Sequence, residues 1–178
     1  MKQIQSNPQD VIEIVDYDPI WDSKFFEEAE RLREVLPKSI PYVLEHIGST
    51  SIPEQAAKPI IDIAIACDSQ DQWAAFRVPI ESLGYVFWAD NPDSEDMFFV
   101  KGMPPYGERR THHIHIRRSD YVKKLVGFRD LLRQDYDLRR RYAELKRGLA
   151  VRFQNDREAY TEEKTNFIQE VLRSGNVA

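Results

Sequence analysis

The pattern of apolar and polar positions divides the chain into a strand-rich first part and a helix-rich last part. VIEIV, Val11–Val15, alternates and is β-branched, which predicts a short strand. Trp21, Phe25, Ala29 and Leu32 then recur at helical spacing, with Asp18 placed as an N-cap, Pro19 as the first helical residue and Pro37 just past the end. YVLEHI, Tyr42–Ile47, predicts a second strand. The following GSTSIPEQAA reads as a turn with a helical turn after Pro53. PIIDIAIA, Pro59–Ala66, is almost continuously apolar, as a central strand covered on both faces would be. Asp68 or Ser69 would cap a helix that Pro79 interrupts and Gly84 closes.

Two further strands, YVFWA and MFFVKG, flank the acidic turn DNPDSED, and THHIHIR, Thr111–Arg117, is a third. From Ser119 onward three stretches carry apolar residues three and four apart, with Ser119 and Asp156 as N-caps. The predicted fold class is α+β: a mixed sheet flanked by helices, with a helical C-terminal third. Residues 1–118 would form the sheet-bearing core and 119–178 a helical region packed on it; one compact domain is the alternative.

Composition narrows this picture. Of 178 residues, 42% are apolar and 31% charged, in the usual range for a globular chain with a real core. A net charge of -5 argues against dedicated nucleic-acid binding, which needs a basic surface. The lone cysteine, Cys67, rules out an internal disulfide and fits a reducing compartment. MKQIQSNPQD lacks the apolar run of a signal peptide and no segment is apolar enough to span a membrane, so a cytoplasmic protein is expected. Oligomeric state is left open.

One residue breaks the apolar pattern with chemistry. Asp62 stands among Ile60, Ile61, Ile63 and Ile65. Strand alternation puts it on one face with Ala64, and an ionised carboxylate there needs a cleft, a cation or hydrogen-bond donors. Just upstream, Gly48 permits close backbone approach and Ser49, Thr50 and Ser51 add hydroxyls, a turn suited to cradling phosphate. Thr111, His113, His115 and Arg117 share one face of a later strand, and His112 faces the other way. Lys58, Arg109, Arg110 and Lys164, the last four residues after Tyr160, are candidate anion contacts.

The Gly48-Ser49 pair, the twelve-residue spacer Thr50 to Ile61 and the strand DIA together resemble the polymerase-β type of nucleotidyltransferase. More narrowly, YDPIW, EHIGSTSIP, AAKPIIDI, RTHHIHI, FRDLLR and YTEEKTNFI, in order along the chain, resemble the GrpB family. The resemblance implies a nucleotidyltransferase-like fold and a nucleotide or small phosphorylated ligand. It also implies a divalent metal, Mg²⁺ or Mn²⁺, which in the superfamily is a Mg²⁺ pair held by three carboxylates. Asp62 corresponds to the first carboxylate and the catalytic position. Ala64 stands where the second would be, and the histidine strand is where the third would come from. Gly48, Ser49, Thr50, Ser51, Lys58, Arg110 and Lys164 would contact phosphate. Asp62, His113 and His115 would hold the metal, and imidazole admits Zn²⁺ or Ni²⁺. Nucleotidyl transfer to a small acceptor, a non-catalytic nucleotide sensor and metal-assisted hydrolysis are the three readings open at this point.

Overall fold

A computed structural model describes residues 12–104 and 107–175. Helix α1, Ile20–Val35, begins where Asp18 Oδ1 accepts from the Ile20 N–H at 3.0 Å, and its apolar stripe, Trp21, Phe25, Ala29 and Leu32, is buried. Strands β1 (Val43–Ile47), β2 (Ile61–Ala66), β3 (Tyr85–Phe87), β4 (Met97–Lys101) and β5 (His112–Arg117) form one five-stranded sheet in the order β1-β2-β5-β4-β3. Only the β2–β5 pair is parallel; the others are antiparallel. Helix α2, Ala74–Ser82, lies between β2 and β3, and α3 (Ser119–Gln134), α4 (Tyr136–Arg152) and α5 (Arg157–Ser174) follow β5.

The two sheet faces have different covers. Ile61, Ile63 and Ile65 of β2, Ile114 and Ile116 of β5 and Phe99 of β4 pack against Trp21, Phe25 and Leu32 of α1 and Phe76 and Ile80 of α2. This is the main core, and continuous burial on both sides accounts for the near-uninterrupted apolar run of β2. The opposite face is covered in part by α3, whose Val122, Leu125 and Val126 pack on Ile47, Ala64 and Ala66. Helices α3, α4 and α5 share a second core of Phe128, Leu132, Tyr142 and Val171, closed by Ile52 from the turn after β1.

Several elements differ from the sequence expectation. Val15 makes a single bridge to Ala57 in place of a strand, through two 2.9 Å hydrogen bonds; Val11 lies outside the described residues. The helical turn after β1 is a 3-10 turn at Ser49–Ser51, ahead of Pro53. Pro79 sits inside α2 without ending it, because Phe76 and Ile80 anchor the helix on the core. Ser119 is the first residue of α3 and not its cap; Asp68, at the end of the neighbouring strand, caps it from outside, accepting from the Ser119 N–H at 2.8 Å and from its hydroxyl at 3.0 Å. Asp156 does cap α5, accepting from the Ala159 N–H at 3.0 Å.

Candidate functional site

The sheet register assembles the centre. Asp62 lies opposite Ile47 on β1 and His113 on β5, and Ala64 lies opposite His115. Opposed residues share a face, so Asp62, His113 and His115 meet on the side that α3 leaves partly open. His113 Nδ1 is 2.9 Å from Asp62 Oδ1. One ligand atom from each of the three residues lies within 4.8 Å of the other two. Burial alone would push the Asp62 carboxyl up, but the His113 hydrogen bond and the charges of His115 and Lys58 outweigh it and hold the group at about 2. Burial pushes His113 down to about 4, against the pull of Asp62. At neutral pH the pair is a carboxylate and a neutral imidazole, so Nδ1–H donates to Asp62. His113 Nε2 is then a buried acceptor with no hydrogen-bond partner among the described residues.

A second acid completes the histidine pair. Asp96, buried in the loop before β4, places Oδ2 2.8 Å from His115 Nδ1 and 3.1 Å from Arg117 Nη2. Burial opposes charging of His115, yet Asp96 and Asp62 raise its pKa. Phe98 packs its ring 4.6 Å from that of His115 and 5.1 Å from that of His113, fixing both.

The Gly-Ser turn lies directly on the acid. Gly48 has φ 71° and ψ -176°, and a Cβ there would stand 2.3 Å from Asp62 Oδ2. The three hydroxyls have separate partners. Thr50 donates to the Ile60 carbonyl at 3.1 Å and Ser51 to the Gly48 carbonyl at 2.6 Å, so both shape the turn from within. Ser49 Oγ accepts from Lys146 Nζ at 2.8 Å, and Ser49 acts electrostatically on the buried Tyr142 hydroxyl. Arg133 donates to the Ser51 carbonyl, at 2.6 Å from Nη2, and Arg129 to the His46 carbonyl at 2.9 Å, so α3 holds the turn from behind.

Cations gather on the other side. Lys146 of α4 is buried and also donates to the Ala56 carbonyl. Burial and the charges of Lys164, Lys58 and Arg147 push its amine well down. Lys58 and Lys164 stand 4.8 and 5.0 Å from the centre of the buried Tyr160 ring. Burial lowers Lys164 as well, against the attraction of Asp62. Arg110 lies half-buried at the start of β5 and acts electrostatically on His113. Arg109 points away to an exposed pairing with Glu13 at 3.0 Å.

Gly48, Ser49, Asp62, His113 and His115 are thus neighbours in space, with Lys58, Arg110 and Lys164 in electrostatic reach. Three participants carried no mark in the sequence reading: Lys146, Tyr142 and Asp96. Tyr142 and Lys146 repeat on α4 the four-residue spacing of Tyr160 and Lys164 on α5, a signal that could have found them. Asp96 stood in the acidic turn DNPDSED with nothing to set it apart from its neighbours. A separate hollow of about 260 Å³ lies beside β1 among Phe25, Phe26, His46, Arg129 and Arg133, and Asp62 is not part of its lining.

A family model described as "GrpB protein" matches residues 11–174. The chain belongs to the GrpB family. A UPF0157 protein of Pseudomonas aeruginosa is 44% identical over 164 residues, 92% of this chain and 67% of its own length. A UPF0157 protein of Bacillus subtilis is 35% identical over 91% of this chain, which spans 46% of that relative. The crystal structure of the conserved protein GrpB from Enterococcus faecalis superposes with a TM-score of 0.79 at 30% identity, covering 92% of this chain and 96% of that one. The Cid1 poly(U) polymerase, solved with MgGTP bound, matches with a TM-score of 0.54 at 14% identity over 79% of this chain and 45% of its own. The GrpB chain therefore has a nucleotidyltransferase-like α+β fold.

The Mg²⁺ pair that this fold implies does not fit the residues present. Ala64 is fully buried beneath α3, and the other donors beside Asp62 are imidazoles, whereas Mg²⁺ takes oxygen ligands at about 2.0–2.1 Å.

Proposed function

We propose that this GrpB-family protein binds a nucleotide or related phosphate ester where the Gly48-Ser49 turn and the lysines of α4 and α5 converge on Asp62, together with a divalent cation at Asp62, His113 and His115. The observation that carries the reading is the convergence of three lysine amines from separate chain segments, Lys58, Lys146 and Lys164, around Tyr160 and the Gly48-Ser49 turn that abuts Asp62. Such a collar attracts a polyanion. The Ser49 hydroxyl and Lys164 would contact phosphate, Gly48 would bring the backbone close, and Arg110 would add positive charge beside His113. Thr50 and Ser51 would act by shaping the turn. The fold shared with a polymerase solved with MgGTP supports a nucleotide as the first ligand to try.

Transfer of a nucleotidyl group to a small acceptor is the reaction this arrangement supports. A panel of nucleoside triphosphates with Mg²⁺ or Mn²⁺, read by calorimetry and by pyrophosphate release, is the test. Saturable binding with release supports transfer. Asp62→Asn is expected to keep the fold, as judged by an unchanged far-UV spectrum, and to abolish metal-dependent binding or turnover. If it lowers the melting temperature and leaves ligand affinity alone, the carboxylate is structural. A second reading, a non-catalytic nucleotide sensor, is favoured by the burial of Ala64, which closes the second acid position. Binding without turnover would select it.

A further inference from the structure

The donor set around Asp62 departs from what two Mg²⁺ ions require, and the departure has its own logic. One carboxylate and two imidazoles are available within 4.8 Å. Imidazole suits borderline ions such as Zn²⁺, Fe²⁺, Co²⁺ and Ni²⁺, whereas Mg²⁺ prefers carboxylate, carbonyl and water. The second acid position is closed, because Ala64 packs with Val122, Leu125 and Val126. Charge points the same way. Two divalent ions on one carboxylate would leave a strong positive excess beside Lys58, Lys146 and Lys164; one ion leaves about a single positive charge.

The residues around the histidines are arranged as supports of metal ligands usually are. Nδ1 of His115 faces Asp96 Oδ2 at 2.8 Å, which fixes the tautomer and leaves Nε2 as the lone-pair nitrogen. Asp96 is itself held, by Arg117 Nη2 at 3.1 Å and by its own N–H donating to the Asp93 carbonyl at 3.1 Å; Arg117 also pairs with Asp93 at 2.7 Å. His113 supplies an independent sign. Its Nδ1, 2.9 Å from Asp62 Oδ1, stands at the separation of two ligands sharing one ion, and it joins such an ion when its proton sits on Nε2 instead.

We infer that this centre takes a single borderline transition-metal ion through Asp62, His113 and His115, in place of a Mg²⁺ pair, and that Asp96 is the positioning residue that holds His115 for it. The inference rests on the proposed function, which takes the surroundings of Asp62 as the functional site.

The test uses the full chain, stripped with a chelator and titrated with Co²⁺, whose visible absorption reports nitrogen ligation, and then with Zn²⁺, Mn²⁺ and Mg²⁺ in competition. One ion per chain is expected, with Co²⁺ and Zn²⁺ preferred over Mg²⁺ by about a hundredfold or more. His115→Gln should shift and weaken the Co²⁺ spectrum, because one of its two nitrogen ligands is lost. Asp96→Asn should keep the melting profile and weaken Co²⁺ by about 10–100-fold, the usual effect of losing a supporting carboxylate. Should Asp96→Asn fail to fold, His115→Gln still reads the ligand without disturbing Arg117. Binding of two Mg²⁺ ions, or a Co²⁺ spectrum unchanged in His115→Gln, overturns the metal assignment; full Co²⁺ affinity in Asp96→Asn overturns the positioning role. Nucleotide binding with Mg²⁺ and no uptake of Co²⁺ or Zn²⁺ sinks this inference alone, whereas tight Co²⁺ binding with no affinity for any nucleotide sinks the phosphate-ester reading alone.

Discussion

Gly48 and Asp62 occupy nearly the same space. The backbone of Gly48 adopts a conformation that essentially only glycine tolerates, and its α-carbon faces the Asp62 carboxylate. Gly48→Ala would meet both obstacles. We expect a loss of roughly 1–3 kcal/mol in urea denaturation from backbone strain alone, accompanied by displacement of Asp62 and weaker ligand binding. At this scale the sequence was informative where chemistry stood out against its neighbours. Asp62 in an isoleucine run and His113 and His115 on alternate positions were visible because a strand has period two. Lys146 was invisible among the many charges of α4, since only the docking of that helix aims it at Ser49. Asp96 was hidden for the converse reason: a loop has no period, and only the fold shows that this one acid of DNPDSED turns inward.

At the scale of elements, α3 decides what the second acid position can be. Its Val122, Leu125 and Val126 roof Ala64, so the missing carboxylate of the superfamily pattern is replaced by packing. Ala64→Asp is therefore expected to bury an uncompensated charge and destabilise by roughly 3–5 kcal/mol, without creating a Mg²⁺ site. For a chain of this size that is a melting shift of about 10 °C downward, measurable by calorimetry. A gain in Mg²⁺ affinity at unchanged stability would contradict the packing described. Most elements were legible because long periodic stretches specify them: α1, β2 and the three late helices fall where their apolar spacing puts them. The 3-10 turn at Ser49–Ser51 was misplaced beyond Pro53, because tertiary bonds from Arg133 and Lys146, and not local propensity, hold it. Ser119 was misread as a cap because its real cap, Asp68, is distant in sequence.

For the whole molecule, the buried histidines set the response to acid. His46 is stacked on Phe25 with rings 4.6 Å apart, and burial lowers it from 6.5 to about 4. Between those pH values the unfolded chain binds a proton that the folded chain refuses, so stability falls as pH drops from 6.5 toward 4 and levels off below. With a side chain only 7% exposed, His46 alone accounts for a loss on the order of 3 kcal/mol by pH 4. His112 is lowered in the same direction, again chiefly by burial. Urea midpoints measured across this range should fall steadily, and less so in His46→Gln; a flat profile would show that His46 is not held neutral.

The cationic collar is built from segments far apart in the chain: Lys58 just ahead of β2, Lys146 on α4 and Lys164 on α5. Synthesis proceeds from the N-terminus, so the strands bearing Asp62 and the histidines leave the ribosome before the two helical lysines. A nascent chain paused before α5 would hold the strands that carry Asp62, His113 and His115 but lack Lys164. If the proposed polyanion site is right, it can close only once α5 has docked, so a chain stalled before α5 would show no retention of a nucleoside triphosphate.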